Sequence, residues 1–347
     1  MTTQPPSRPW PAGSVTGIGS WPGTQVREAL HVIHDTLPLL PHLPELPARG
    51  PGADMVGRAL AVLPDFAATW GPRGWEITDR RGADSRRGVS LLGEDLDQLE
   101  EVFGEWDGAF KIQLCGPWTM AATIELRSGR RLVADRGARR DLGQAYAEGL
   151  AAHVADVAHR LPLARLVVQL DEPALTDVLR GGLPTPSGWG HLAGIEEPYV
   201  TEALRRAVEA LPENVTSVAH CCAEESPLRL LRSAGFGGLS VDASLLTLAE
   251  DEPLGEAVEA GLGLFMGVVP TDGSPGVGRA AVSDLWNRLG QDPGRLSEVV
   301  VVTPACGLAG ASLDSARAIL VRCAEIARSL HDDPEARPTT QSAGGDS

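Results

Sequence analysis

Short, nearly unbroken apolar runs recur along the chain, each closed by Gly, Pro or Asp. They are "SVTGIGS" (14–20), "AFKIQLCG" (109–116), "ARLVVQLD" (164–171), "VTSVAHC" (215–221), "GGLSVDAS" (237–244), "LGLFMGVV" (262–269) and "EVVVVTPAC" (298–306). Their Val, Ile and Leu content is that of strands buried on both faces. Between them lie amphipathic helical patterns at 141–161, 198–211, 227–235 and 312–330, the last with Ser312 as its N-cap. Strand, helix, strand at this spacing implies a parallel sheet. Seven strands are visible, and an eighth is expected within residues 40–80. Eight close a single-domain α/β fold of the (β/α)8 TIM-barrel type over residues 13–331, with an open doubly wound sheet as the alternative. Residues 1–12 and the tail 332–347, rich in Pro, Gly, Ser and Thr, are expected to be disordered.

Either fold puts the ligand site at the carboxyl ends of the strands. The polar residues that follow the apolar runs are Ser20, Asp171, Glu172, His220, Cys221, Cys222, Asp242 and Cys306. In a barrel they converge on one mouth.

Composition narrows the partners. The 347 residues carry a net charge of −16, and Lys111 is the only lysine among the basic residues. Such a surface argues against nucleic acid and membranes as partners. The start "MTTQPPSRPW" lacks a secretory pattern, and no apolar run reaches the length of a membrane span. Five cysteines, an odd number in a long chain, do not form a disulfide framework. A cytoplasmic location with free, metal-bound or catalytic thiols is expected.

His220 and Cys222 stand two apart, so in a strand they share one side while Cys221 faces the other. With Cys306 they make a soft nitrogen and sulfur set of the kind that holds zinc. The plain reading is a group of small core residues at strand ends, and it is preferred for Cys115, Cys221 and Cys323. Asp171 and Glu172 could bind an amine or work as an acid and base pair, or could cap a helix opened by Pro173. Gly19 and Ser20 could receive a carboxylate or form an ordinary turn. "GSPGVGR" (273–279) lacks the Lys-Ser/Thr of a phosphate loop.

Taken in order, these segments resemble the catalytic, C-terminal barrel of the cobalamin-independent methionine synthases, from about residue 14 to 330. "IGSWPGT" resembles that family's Ile-Gly-Ser-Phe-Pro element, which implies that Gly19 and Ser20 hold the carboxylate and amine of homocysteine. "ADMVGRAL" resembles its Asp-Met-Val helix start. "VVQLDEPAL" resembles its Gln-Ile-Asp-Glu-Pro-Ala segment, which implies that Asp171 grips the amine beside Glu172. "AHCC" and "TPACGL" resemble its zinc-binding segments, which implies Zn2+ on His220, Cys222 and Cys306. "LSVDAS" places Asp242 where the family has a glutamate ligand.

The departures are as informative. The N-terminal barrel of full-length members is absent from this sequence. "VVPTDGS" places Asp272 at the position of the family's proton-donating histidine, the candidate catalytic site. The glutamate expected before the Asp-Met-Val start is not evident, and Arg49 lies near there. The resemblance implies a zinc-dependent S-methyltransferase that makes methionine from homocysteine, with a methyl-folate or a methyl-corrinoid as donor, possibly on a partner protein. Zinc lowers the pKa of a bound thiol, so the nucleophile is a thiolate near neutral pH. Two other classes remain open: a metal-free lyase of the uroporphyrinogen-decarboxylase-like barrels, and a non-catalytic zinc-binding protein.

Overall fold

The computed structural model describes residues 8–272, 274 and 276–335. Helices α1 (Val26–Thr36) and α2 (Met55–Val62) come first, followed by an antiparallel hairpin of β1 (Ala68–Gly71) and β2 (Gly74–Ile77). Helix α3 (Ala83–Phe103) leads into β3 (Ala109–Cys115), α4 (Pro117–Thr123) and α5 (Arg136–Arg160). Then come β4 (Arg165–Asp171), α6 (Leu175–Arg180), α7 (Glu197–Glu209), β5 (Thr216–His220) and α8 (Leu228–Ser233). The last units are β6 (Gly238–Asp242), α9 (Asp251–Glu259), β7 (Gly263–Val269), α10 (Gly278–Arg288), α11 (Leu296–Val299), β8 (Val300–Pro304) and α12 (Leu313–Asp332). Ser312 caps α12, its Oγ accepting from Ser315 N, as the sequence predicts.

Strands β3 to β8 form one curled parallel sheet in chain order. Its register lines up the strand ends: Cys115 stands opposite Asp171, Asp171 opposite His220, and His220 opposite Ser240. Of the eight expected strands, six are complete. The 14–20 run and the stretch around His42 are extended but joined to the sheet only by isolated bridges. Thr16 N donates to Val302 O at 3.1 Å on one edge, and Lys111 N to Pro41 O at 2.9 Å on the other. Trp21 N donates to Glu45 O at 2.7 Å, linking the two stretches. Pro41, Pro44 and Pro47 carry no N–H, so no regular ladder can run through 41–47.

Alternation divides the sheet into two faces. On β4, Leu166, Val168 and Leu170 pack into the large cluster shared with the helices. Val167 instead joins Trp10, Leu40, Ala109, Val218, Phe265 and Val301 in a separate cluster on the concave side. That inner cluster is a floor of apolar side chains. Above it the same face carries Lys111, Gln113, Gln169, Asp171 and His220, all buried.

The expected disorder of residues 1–12 fails for the part described. Trp10 is buried, edge-on to Phe265 with ring centroids 5.0 Å apart, and Arg8 Nη2 donates to Gly261 O at 3.0 Å. Trp10 closes the floor of the concave face, whose apolar side chains would otherwise meet water. Residues 1–7 and most of the expected tail, 336–347, lie outside the described residues. Helix α12 itself reaches Asp332.

Candidate metal and amino-acid site

The mouth is built where β4, β5, β6 and β8 end. His220, Cys222 and Cys306 bring one ligand atom each to within 4.8 Å of one another. The sulfurs of Cys222 and Cys306, 84 residues apart in sequence, are 3.7 Å from each other. Hydrogen bonding from Cys222, and then His220, holds the Cys306 thiol well below its ordinary value, while the bond to Cys306 and burial push the Cys222 thiol up. His220 Nδ1 is hydrogen-bonded to Ser240 Oγ at 2.9 Å, which orients the ring and leaves Nε2 free of that bond. Cys221 is buried on the opposite face, in the outer core, as the alternation requires. All five cysteines are free, with Cys115, Cys221 and Cys323 buried.

Asp171 ends β4 on the concave side, 5% exposed, and its Oδ1 accepts from Gln169 Nε2 at 2.6 Å. Burial raises its pKa, while His220 and Lys111 pull it down. Ser20 lies next to the loop after β8: Leu308 N donates to Ser20 O at 2.9 Å and Ala309 N to Ser20 Oγ at 3.4 Å. Gly19 has no room for a side chain, since a Cβ there would stand 2.6 Å from Gln113 Cγ.

Three candidate residues are placed elsewhere. Glu172 follows Asp171 and therefore points to the other face. It is fully buried, and its carboxylate accepts from Trp118 N at 2.9 Å, Thr119 N at 2.7 Å and Thr119 Oγ at 2.8 Å. It caps the start of α4, and burial pushes its carboxyl up to about 7 against those donors. Asp242 is outside the ligand group. Its Oδ1 accepts from Ser244 N at 2.8 Å and Ser244 Oγ at 2.7 Å, a turn that a short carboxylate forms readily with the backbone two residues on. Asp272 is exposed, and its Oδ1 accepts from Ser274 N at 2.9 Å. That bond holds its carboxyl below the usual range, so it is an anion at neutral pH.

A model of the catalytic domain of the cobalamin-independent synthases matches residues 14–329. The chain belongs to this family. Among curated proteins no match was found. Of solved structures, a B12-independent methionine synthase from Shewanella sp. W3-18-1, in complex with selenomethionine, is 14% identical with a TM-score of 0.59. The likeness covers 93% of this chain and 99% of that one, and at this identity it bears on the fold alone. The Amycolatopsis orientalis BexX/CysO complex (12% identity, TM-score 0.38, 99% and 100% coverage) is too distant to carry an argument.

Arg49, which lies near the position of the family's glutamate, is engaged away from the strand ends. Its guanidinium is tied to Asp95 at 2.5 Å, on α3. The residue that sequence reasoning missed is Glu45, bridged to Ser20 and 3% exposed. Its Oε1 stands 3.5 Å from Arg58 Nε, and Arg58 also grips Asp95, so a buried chain of charges holds Glu45 in place. Burial, reinforced by Asp171 and opposed by Arg58, pushes Glu45 up to about 7. Lys111, fully buried, donates to Ile18 O at 2.9 Å and Gln113 Oε1 at 3.2 Å; burial lowers it to about 8 against the pull of Asp171 and Glu45. The one sequence signal for this network was a lone lysine inside an apolar run.

Proposed function

We propose that this chain is a zinc-dependent S-methyltransferase that transfers a methyl group to the thiol of homocysteine, forming methionine. The observation that carries the reading is the meeting of His220, Cys222 and Cys306, from separate strand ends, within 4.8 Å. Membership of the family of cobalamin-independent synthases supports it. The bridges that link residues 14–21 and 41–45 to both sheet edges support a (β/α)8 barrel with two reduced strands.

The donor set suits zinc: an imidazole and two thiols, one of them already disposed to ionise. Bound there, zinc would hold the substrate sulfur as a thiolate near neutral pH. The chain's own residues then orient the amino acid. Two buried carboxylates, Asp171 and Glu45, offer an ammonium group its partners. Ser20, against the loop after Cys306, is set to meet the carboxylate. Free thiols in all five cysteines suit a reducing cytoplasm.

The donor end lacks a proton source at Asp272, which is an exposed anion. A methyl group on a folate amine leaves well only if that amine is protonated, whereas cobalt departs from a methyl-corrinoid as a reduced ion carrying the electron pair. Transfer from a methyl-corrinoid, or from a methyl-folate presented by a partner protein, is therefore the reading for the donor. The experiment is metal analysis of protein purified under reducing conditions, with about one zinc per chain expected. Cys222→Ala or Cys306→Ala should remove it and Cys221→Ala should not; wild-type protein without metal overturns the reading. Methionine formation from each donor follows, and efficient turnover of free methyl-folate refutes the assignment of the donor.

A further inference from the structure

An arginine-lined groove lies in the helical layer and shares no residue with the mouth. The chain is strongly acidic, yet six arginines fall between Arg127 and Arg140. Arg136, Arg139 and Arg140, from the first turns of α5, and Arg206 of α7 line a groove of about 690 Å3. Glu202 is the one acidic residue in that lining, and its Oε1 accepts from Arg206 Nε at 2.8 Å. Arg136 makes no ion pair among the described residues and lies over the ring of Tyr199, 5.9 Å from its centroid. Arg139 Nη1 donates to Val133 O, and burial lowers its pKa, opposed by the charge of Asp135 and reinforced by that of Arg136. Arg140 is paired with Asp141 at 2.9 Å and Arg206 with Glu202 at 2.8 Å, but both pairs are largely exposed, while Arg136 keeps no carboxylate partner among the described residues. In the lining itself four arginines face one acidic residue, and an anion relieves their mutual repulsion.

The remaining wall is apolar and rigid. Trp118 is buried, and its indole Nε1 donates to Val200 O at 3.1 Å, locking α4 to α7. Tyr199 is 55% exposed, a flat surface that Arg136 covers only in part. The volume falls in the range of small-molecule sites, roughly 300–1,000 Å3. An acidic macromolecule would meet the repulsion of the whole chain. A small ion meets chiefly the local arginines, because salt screens charges beyond about 8–10 Å.

The geometry points to a binding site for a small organic polyanion: a flat apolar body laid against Tyr199, carrying two or more phosphate or carboxylate groups held by Arg136, Arg139 and Arg140. The site is separate from the proposed chemistry at the mouth.

The test is calorimetric titration of the full chain with ATP and with N-benzoyl-triglutamate, adenosine and benzamide serving as uncharged controls. At least one polyanion should bind about tenfold or more tighter than its control, and binding should weaken with added salt. Binding of ATP alone assigns phosphate, of the peptide alone carboxylate, and of both the shared oxyanion chemistry. Arg136→Gln combined with Arg140→Gln, both on the exposed side of α5, should weaken binding at least about tenfold with zinc content and unfolding midpoint unchanged. Cys306→Ala should leave it intact. Polyanions that bind no tighter than their controls, a double variant that binds like wild type, or loss of binding in Cys306→Ala overturns the proposal.

Discussion

Asp171 and Glu172 are neighbours in sequence with opposite duties, and substituting each separates them. Glu172→Gln keeps the shape but replaces one carboxylate oxygen by an amide NH2. The best arrangement leaves the remaining oxygen on Thr119 N and Oγ and turns the NH2 toward Trp118 N, donor against donor. A buried backbone N–H without an acceptor costs about 1–3 kcal/mol, and the other two bonds lose their charge assistance, so about 2–4 kcal/mol is expected in all. At about 2 °C per kcal/mol for a chain of this size, the unfolding midpoint should fall by roughly 4–8 °C. The measurement belongs at pH 8, above the value of about 7 to which burial raises Glu172. Asp171→Asn should do the reverse. The amide can still accept from Gln169 Nε2, and a desolvated charge is gone, so stability should change by no more than about 1 kcal/mol. An ammonium group loses a charge-assisted bond of about 1.5–3 kcal/mol, a drop of roughly 10- to 100-fold in homocysteine affinity of the zinc-loaded protein. Thermal unfolding by circular dichroism and calorimetric titration with homocysteine read the two effects. A Glu172→Gln protein that melts like wild type but loses homocysteine affinity would refute the division of labour.

Asp242→Asn should retain zinc within about threefold of wild type, because its Oδ1 serves the Ser244 turn; a loss matching that of Cys306→Ala makes it a ligand after all. His153 is buried and its pKa is lowered to about 4, first by burial and then by the charge of Arg58. Its folded value lies below the free one of 6.5, so its contribution is complete above pH 6.5 and is lost as pH falls toward 4. Urea unfolding should show about 2 kcal/mol of that loss by pH 5, and none of it in His153→Gln; parallel pH curves for the two proteins count against the assignment. Trp10→Ala should destabilise by about 3–5 kcal/mol, since the side chain is buried against the floor of the concave face; a change under about 1 kcal/mol means that residues 8–12 do not close it.

The sequence by itself determined six of the strands, their parallel sense and the side that a residue takes on them, because these depend on period-two alternation and on local punctuation. His220 and Cys222 on one face with Cys221 on the other followed from spacing alone. Asp171 and Glu172 read together in the sequence as substrate-binding, with a helix cap as the alternative, and the structure puts them on opposite faces. Only the tertiary structure decided what touches what. Glu45 reaches the mouth because prolines carry residues 41–47 across the sheet edge and a buried Arg58–Asp95 pair holds its carboxylate, contacts between segments far apart in the chain. Asp242 is drawn to Ser244 because a nearby N–H competes with any distant ligand, and no spacing rule weighs that contest. Trp10 lies in a segment whose composition reads as loose, yet the floor left open at the amino ends of the strands gives its ring a place to be buried. Local pattern records the preferences of a residue and its near neighbours; burial and charge pairing depend on which remote groups arrive, and those are set by the closed fold as a whole.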